Sequence, residues 1–209
     1  MKTIDIKTWK RREHFEFFAE FDEPFFGIVS EVDCSRAYAT AKAQDHSFFA
    51  WYLHKSLLAV NGIDEFRYRI IDEQVVNYEE IHASATIGRV DGTFAYSFIR
   101  FSPDFPTFNQ ALQEETVQVQ NSTGLRLDAE AVRQDVIHYS SLPWKKFTGL
   151  THARDFKTAD SVPKITFGKA YSVGDKKLMA VSINAHHGLV DGLQVAQFLE
   201  LFQNLLDEG

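Results

Sequence analysis

Seven residues near the C-terminus, His186-His187-Gly188-Leu189-Val190-Asp191-Gly192, hold the side chains best suited to chemistry. An imidazole titrates close to neutrality, so it can take a proton from a hydroxyl at pH 7 once its tautomer and ring plane are held. The aspartate four residues on is a candidate for holding them. The same residue types have blander uses, since histidines are commonly structural and an aspartate at a helix start is commonly a cap. A metal site ranks below the general base, because it needs a third ligand and the single cysteine, Cys34, has no partner at zinc-motif spacing.

Such a site needs an element on each side. Residues 178–185 are apolar, partly β-branched and alternating, the pattern of a strand that delivers the histidines at its end. Beyond the motif, Leu193, Ala196, Leu199, Phe202 and Leu206 recur at helical spacing, which places Asp191 at the helix start, where it caps and complements the dipole. Gly188 and Gly192 permit the tight backbone path that a strand-to-helix switch requires.

Upstream, the patterns predict a strand over 25–32, helices over 34–44 and 47–60, and a hairpin of 66–71 with 74–78. Strands follow over 82–89 and 93–100, then a helix over 107–120 and strands over 135–139 and 164–171. This mixed order, without strict strand–helix alternation, indicates an α+β protein: a two-layer sandwich of a large mixed β-sheet with packed helices. No repeat or Pro/Gly/Ser-rich linker divides residues 1–209, which read as one domain. The formal net charge of -7 argues against a nucleic-acid or anionic-membrane binder. The N-terminus lacks an apolar leader and no apolar run is long enough to span a bilayer, so a cytoplasmic location is expected. The 19 phenylalanines are expected mainly in the core and at subunit interfaces.

The His-His-x-x-x-Asp-Gly motif resembles the signature of the chloramphenicol acetyltransferase family. Two further segments resemble it more narrowly: Trp9-Lys10-Arg11-Arg12-Glu13-His14-Phe15-Glu16-Phe17, and Ser140-Ser141-Leu142-Pro143-Trp144 followed by Pro163 to Lys169. The histidine motif alone is shared with dihydrolipoyl acyltransferases and peptide-synthetase condensation domains; a dihydrolipoyl acyltransferase core is disfavoured because no lipoyl domain or Ala/Pro linker precedes the fold.

The resemblance implies a large sheet packed under helices and a homotrimer with active sites between subunits. It implies acetyl-CoA as cosubstrate, no permanently bound cofactor or metal, and a small hydroxylated acceptor. By the same resemblance His187 is the general base, Ser140 stabilises the oxyanion, and Thr166 helps through water. Asp191 and Arg11 form a structural salt bridge, His186 is structural, and Lys169, with Lys145 and Lys146, lies near the CoA. Phe18, Pro24, Phe26, Phe94, Arg126, Leu150 and His152 fall at acceptor-pocket positions.

Here the chain departs from the family: Phe18 stands where a tyrosine is usual, and Arg126 and His152 stand where mostly apolar or aromatic side chains are found. Acetyl transfer to chloramphenicol is the leading expectation, with the same chemistry on a different hydroxyl or amine as the alternative. A non-catalytic trimeric binding protein is disfavoured, because a scaffold would need the packing residues but not His187, Ser140 and Thr166 together.

Overall fold

The computed structural model describes residues 1–130, 132–155 and 160–209. The chain runs β1 (Lys2–Thr3), α1 (Arg12–Ala19), β2 (Phe25–Asp33), α2 (Ser35–Ala43), α3 (Phe48–Asn61), a 3-10 turn (Asp64–Arg67), β3 (Tyr68–Ile71) and β4 (Gln74–Asn77). It continues through β5 (His82–Gly88), β6 (Phe94–Tyr96), α4 (Phe105–Gln120), β7 (Val136–Leu142), β8 (Lys164–Gly168), β9 (Tyr171–Val173), β10 (Lys176–His186) and α5 (Gly192–Glu208). Seven strands form the main sheet in the order β2-β10-β8-β7-β5-β6, with β9 paired beside β10; β1, β4 and β3 form a second, small sheet. The β5–β7 and β7–β8 pairs are parallel and the others in the main sheet are antiparallel, so the sheet is mixed as the sequence predicts.

Alternation along the strands divides this sheet into two unlike faces. Ala83 and Ala85 of β5, Ile137 and Tyr139 of β7, Ile165 and Phe167 of β8 and Val181 and Ile183 of β10 belong to the main hydrophobic core. Leu53 and Leu57 of α3 and Phe198 and Phe202 of α5 are in the same core, so this face is the one that the helices cover. The intervening residues on the other face are Ser84 and Thr86, His138 and Ser140, Lys164 and Thr166, and Ser182 and Asn184. That face is polar across four adjacent strands.

Two expectations are corrected. The strand predicted over 93–100 forms β6 only at Phe94–Tyr96, and the same register resumes in an isolated Ala83–Ile99 bridge. Between them the Phe98 amide donates to the Glu115 carboxylate at 3.1 Å. The strand predicted over 164–171 stops at Gly168, where the Lys169 amide turns to donate to the Lys145 carbonyl and Tyr171–Val173 forms a separate strand. The aromatic N-terminal segment, for which the sequence reading named no element, forms helix α1.

Candidate active site

Strand β10 ends at His186, and the chain turns through Gly188–Val190 before α5 begins, as the apolar alternation and the capping signal dictate. Asp191 accepts a hydrogen bond from the Leu193 amide and closes a capping box with Gln194, which satisfies amides that the first helical turn leaves free. The other Asp191 oxygen takes the Arg11 guanidinium at 2.7 Å. Burial works to raise the Asp191 carboxyl, but the hydrogen bonds from Arg11 and Leu193 outweigh it and hold the group below the usual carboxylate range. Arg11 also donates to the His187 backbone carbonyl at 3.2 Å, while the His187 amide donates to the Pro24 carbonyl at 2.8 Å. The aspartate therefore reaches the histidine through Arg11 and the backbone and does not touch the ring.

Two phenylalanines set the His187 ring plane. Phe18 of α1 stacks on it with ring centres 4.2 Å apart and planes 7° off parallel, and Phe26 of β2 lies 4.4 Å away on a tilt of 35°. Among the described residues the buried Nδ1 of His187 has no hydrogen-bond partner. His186 points elsewhere: its Nδ1 accepts the Gly188 amide, and burial, with Arg154 nearby, pushes its pKa down to about 4. A Cβ at Gly188 would stand 3.1 Å from the His186 ring, close enough that the ring would have to give way.

Ser140 and Thr166 lie on the polar face of the sheet, opposite one another on β7 and β8, and Thr166 is in turn opposite Ser182 on β10. The Thr86 hydroxyl extends this row with a long hydrogen bond of 3.4 Å to Ser140 Oγ. His152 approaches Thr166 Oγ1 through Nε2, also at 3.4 Å. Two adjoining cavities of about 460 and 390 Å³ share Thr86, Phe94, Ser140 and His152 as walls. Leu150 and Thr166 line the smaller one.

The side chains that the sequence put in one site thus lie in two places. Phe18, Pro24, Phe26, Arg11 and Asp191 surround His187; Phe94, Leu150, His152 and Thr166 surround Ser140. Along β10, His187 is five residues beyond Ser182, which at roughly 3.3 Å per residue puts it about 16 Å from the row containing Thr166. Arg126 joins neither group. Its backbone is left-handed, with φ 55°, and its guanidinium is bound to the buried Glu115 at 2.6 Å beside a separate cavity of about 250 Å³. Lys169 is exposed, and Lys146 is engaged by Glu31 and the Tyr171 hydroxyl.

Other residues at the site were not singled out from the sequence. His138, Lys164 and Asp160 line the larger cavity, and Arg154, bound to Glu23 and lying 3.6 Å from the centre of the Phe25 ring, lines another nearby. A signal existed for two of them: His138 precedes Ser140, and Lys164 precedes Thr166, by the two-residue step that returns to the same face of a strand. Among the described residues no three His, Cys, Asp or Glu side chains converge to hold a metal ion, and no helix is long and apolar enough to cross a membrane.

Comparison with known proteins places the chain in a family. The family model described as chloramphenicol acetyltransferase matches residues 1–203. A chloramphenicol acetyltransferase of Escherichia coli is 27% identical over 99% of this chain and 94% of its own. A solved structure of a chloramphenicol acetyltransferase superposes with a TM-score of 0.92 at 31% identity, covering 98% of this chain and 99% of that one. The cubic core of a pyruvate dehydrogenase multienzyme complex shares the fold, with a TM-score of 0.71 at 16% identity over 88% of this chain and 81% of that one. With the family matched from end to end and its fold reproduced, this chain belongs to the chloramphenicol acetyltransferase family of acetyl-CoA-dependent O-acetyltransferases.

Proposed function

We propose that the protein moves the acetyl group of acetyl-CoA directly to a hydroxyl of chloramphenicol, in a ternary complex formed between neighbouring copies of a homotrimer. His187 Nε2 takes the proton of the acceptor hydroxyl as its oxygen attacks the thioester carbonyl carbon. The resulting oxyanion accepts a hydrogen bond from Ser140, with Thr166 assisting through water. Collapse breaks the carbon–sulfur bond, and the departing CoA thiolate recovers the proton from His187. A thioester is already activated, so no acyl-enzyme is needed, and Cys34, buried and with its thiol pushed up to about 11, takes no part.

The separation of about 16 Å between His187 and the Thr166 row carries this reading. The base and the oxyanion donor of one chain cannot act on one carbonyl, whereas His187 of one copy against Ser140 of the next can. Exposed apolar side chains flank both halves, Phe17 and Phe21 on the α1 side and Leu127 and Trp144 on the other, as surfaces that meet in an assembly would require. The experiment is complementation: inactive His187→Ala and Ser140→Ala proteins are unfolded together, refolded and assayed for CoA thiol release with chloramphenicol. Random mixing pairs an intact His187 with an intact Ser140 at about a quarter of the interfaces, so about a quarter of wild-type activity is expected. No recovery from a mixture that has formed trimers would overturn the shared site.

One observation favours a second reading, in which the reaction is the same but the preferred acceptor differs. Polar and charged groups (His138, His152, Asp160 and Lys164) form much of the wall beside Ser140.

A further inference from the structure

The larger cavity beside Ser140 sets a wall of Phe94, Tyr96, Leu127 and Tyr139 against a floor of hydrogen-bonding groups. It lies on the sheet face away from the helices, one strand-step before the hydroxyl row, where Ser84, His138 and Lys164 follow one another across β5, β7 and β8. Ser84 is buried and its hydroxyl has no hydrogen-bond partner among the described residues, an arrangement that costs free energy unless a ligand or water completes it. The Lys164 ammonium, also buried, donates to Asp160 at 2.5 Å and to the Val162 carbonyl at 3.3 Å, and it lies over the Phe25 ring.

Burial works to raise the Asp160 carboxyl, but Lys164 outweighs it and keeps the group below the usual carboxylate range. Burial and then Lys164 push His138 down to about 4, and the same two causes lower His152. Both imidazoles are therefore neutral near pH 7 and can each donate and accept. The cavity thus offers a carboxylate acceptor, an ammonium donor, a free hydroxyl and two amphoteric rings, with no net charge. An aryl group placed there would strip water from all of them and return no hydrogen bonds. A ligand bearing several hydroxyls, each a donor and an acceptor, satisfies them.

We infer that the preferred acceptor is a polyhydroxylated, sugar-like molecule: one hydroxyl is acetylated beside Ser140, while neighbouring hydroxyls bind Ser84, His138 and the Lys164–Asp160 pair. This rests on the acetyl-transfer reading above and names the acceptor class of the same site. Chloramphenicol, with one further hydroxyl and an amide beside its aryl ring, then enters as a poorer acceptor that pairs fewer of those groups.

The test is steady-state thiol release from acetyl-CoA with chloramphenicol and with a panel of mono- and disaccharides, using the assembled wild-type protein, Ser84→Ala and the double variant Lys164→Met/Asp160→Asn. The double change removes both charges together, so neither is stranded. The expected result is a kcat/KM for the best saccharide at least about tenfold above that for chloramphenicol. The double variant should lose at least about tenfold on the saccharide, mainly in KM, and gain on chloramphenicol; Ser84→Ala should show a smaller loss of the same selectivity. Turnover of chloramphenicol with no saccharide acetylated, or equal effects of the variants on both acceptors, would overturn the inference and leave acetyl transfer standing. If neither acceptor is turned over by the wild type, the reading beneath it fails as well.

Discussion

His187 and Ser140 are each held by contacts that suit a reacting group more than a packing one. The His187 ring lies between Phe18 and Phe26 with its backbone pinned by Pro24 and Arg11, which fixes its plane. His187→Ala is expected to lower turnover by about 10²–10⁴-fold while leaving the folded assembly intact, as a matched unfolding curve would show. Ser140→Ala should lower kcat by about 10²–10³-fold with little change in KM, because the oxyanion exists only on the way to product. If KM alone rises, Ser140 is a binding group and the oxyanion donor lies elsewhere. Phe18 bears on the base directly, so Phe18→Ala should reduce kcat, by up to about 10²-fold for a misplaced ring, more than it raises KM. The reverse split in steady-state kinetics would make Phe18 an acceptor contact only.

At the scale of elements, Asp191 serves α5 and the site together: it caps the helix and holds Arg11 of the N-terminal segment to the β10–α5 turn. The two roles can be separated. Asparagine caps nearly as well as aspartate, so Asp191→Asn should leave the cap and lose the ion pair, whereas Asp191→Ala loses both and should be less stable by about a further 1 kcal/mol in urea titrations. A double-mutant cycle with Arg11→Ala should return a coupling of about 0.5–3 kcal/mol, and strict additivity would show that the pair stabilises nothing. The Asp191 carboxyl is held below its ordinary pKa in the fold. Its contribution is therefore complete above that ordinary value and is lost as the pH falls through the lowered one, a dependence that Asp191→Asn should remove. The capping role of Asp191 and the strand that precedes it were legible from local pattern. The break in the β5–β6 ladder was not, because it depends on Glu115 arriving from α4, and neither was the separation of Arg126 from the pocket, which the same carboxylate causes.

For the molecule as a whole, two buried imidazoles set the acid limit of stability. His138 and His186 each titrate near 4 in the fold against an ordinary value of 6.5, in both cases chiefly because burial disfavours the charged ring. Between these values the unfolded chain takes up protons that the folded chain refuses. Stability should therefore fall as the pH drops from about 6.5 to about 4 and level off for these groups below that. Denaturant midpoints measured across this window should decline for the wild type and decline less for His138→Gln. An equal slope in both proteins would show that His138 is protonated in the fold. The same burial leaves His138 neutral at the pH where the enzyme is proposed to work, available to an acceptor as a hydrogen-bonding group.

The sequence by itself determined what depends on neighbours along the chain. The alternation before His186 makes a strand, the apolar spacing after Asp191 makes a helix, and the aspartate between them caps it; these are consequences of local geometry. The resemblance added names for the roles and paired Arg11 with Asp191 across 180 positions; in the structure the two side chains lie 2.7 Å apart. Only the tertiary structure decided which residues share a cavity. Sheet order sets Ser140 beside Thr166, and Thr166 beside Ser182 five residues short of His187, a separation that no local pattern encodes and that the proposed mechanism bridges with another copy. Side-chain alternation marks His138 and Lys164 as sharing a face with Ser140 and Thr166. It was the β5-β7-β8 pairing that brought them together with Ser84 and Asp160 in one cavity, opposite Phe94, Tyr96 and Leu127.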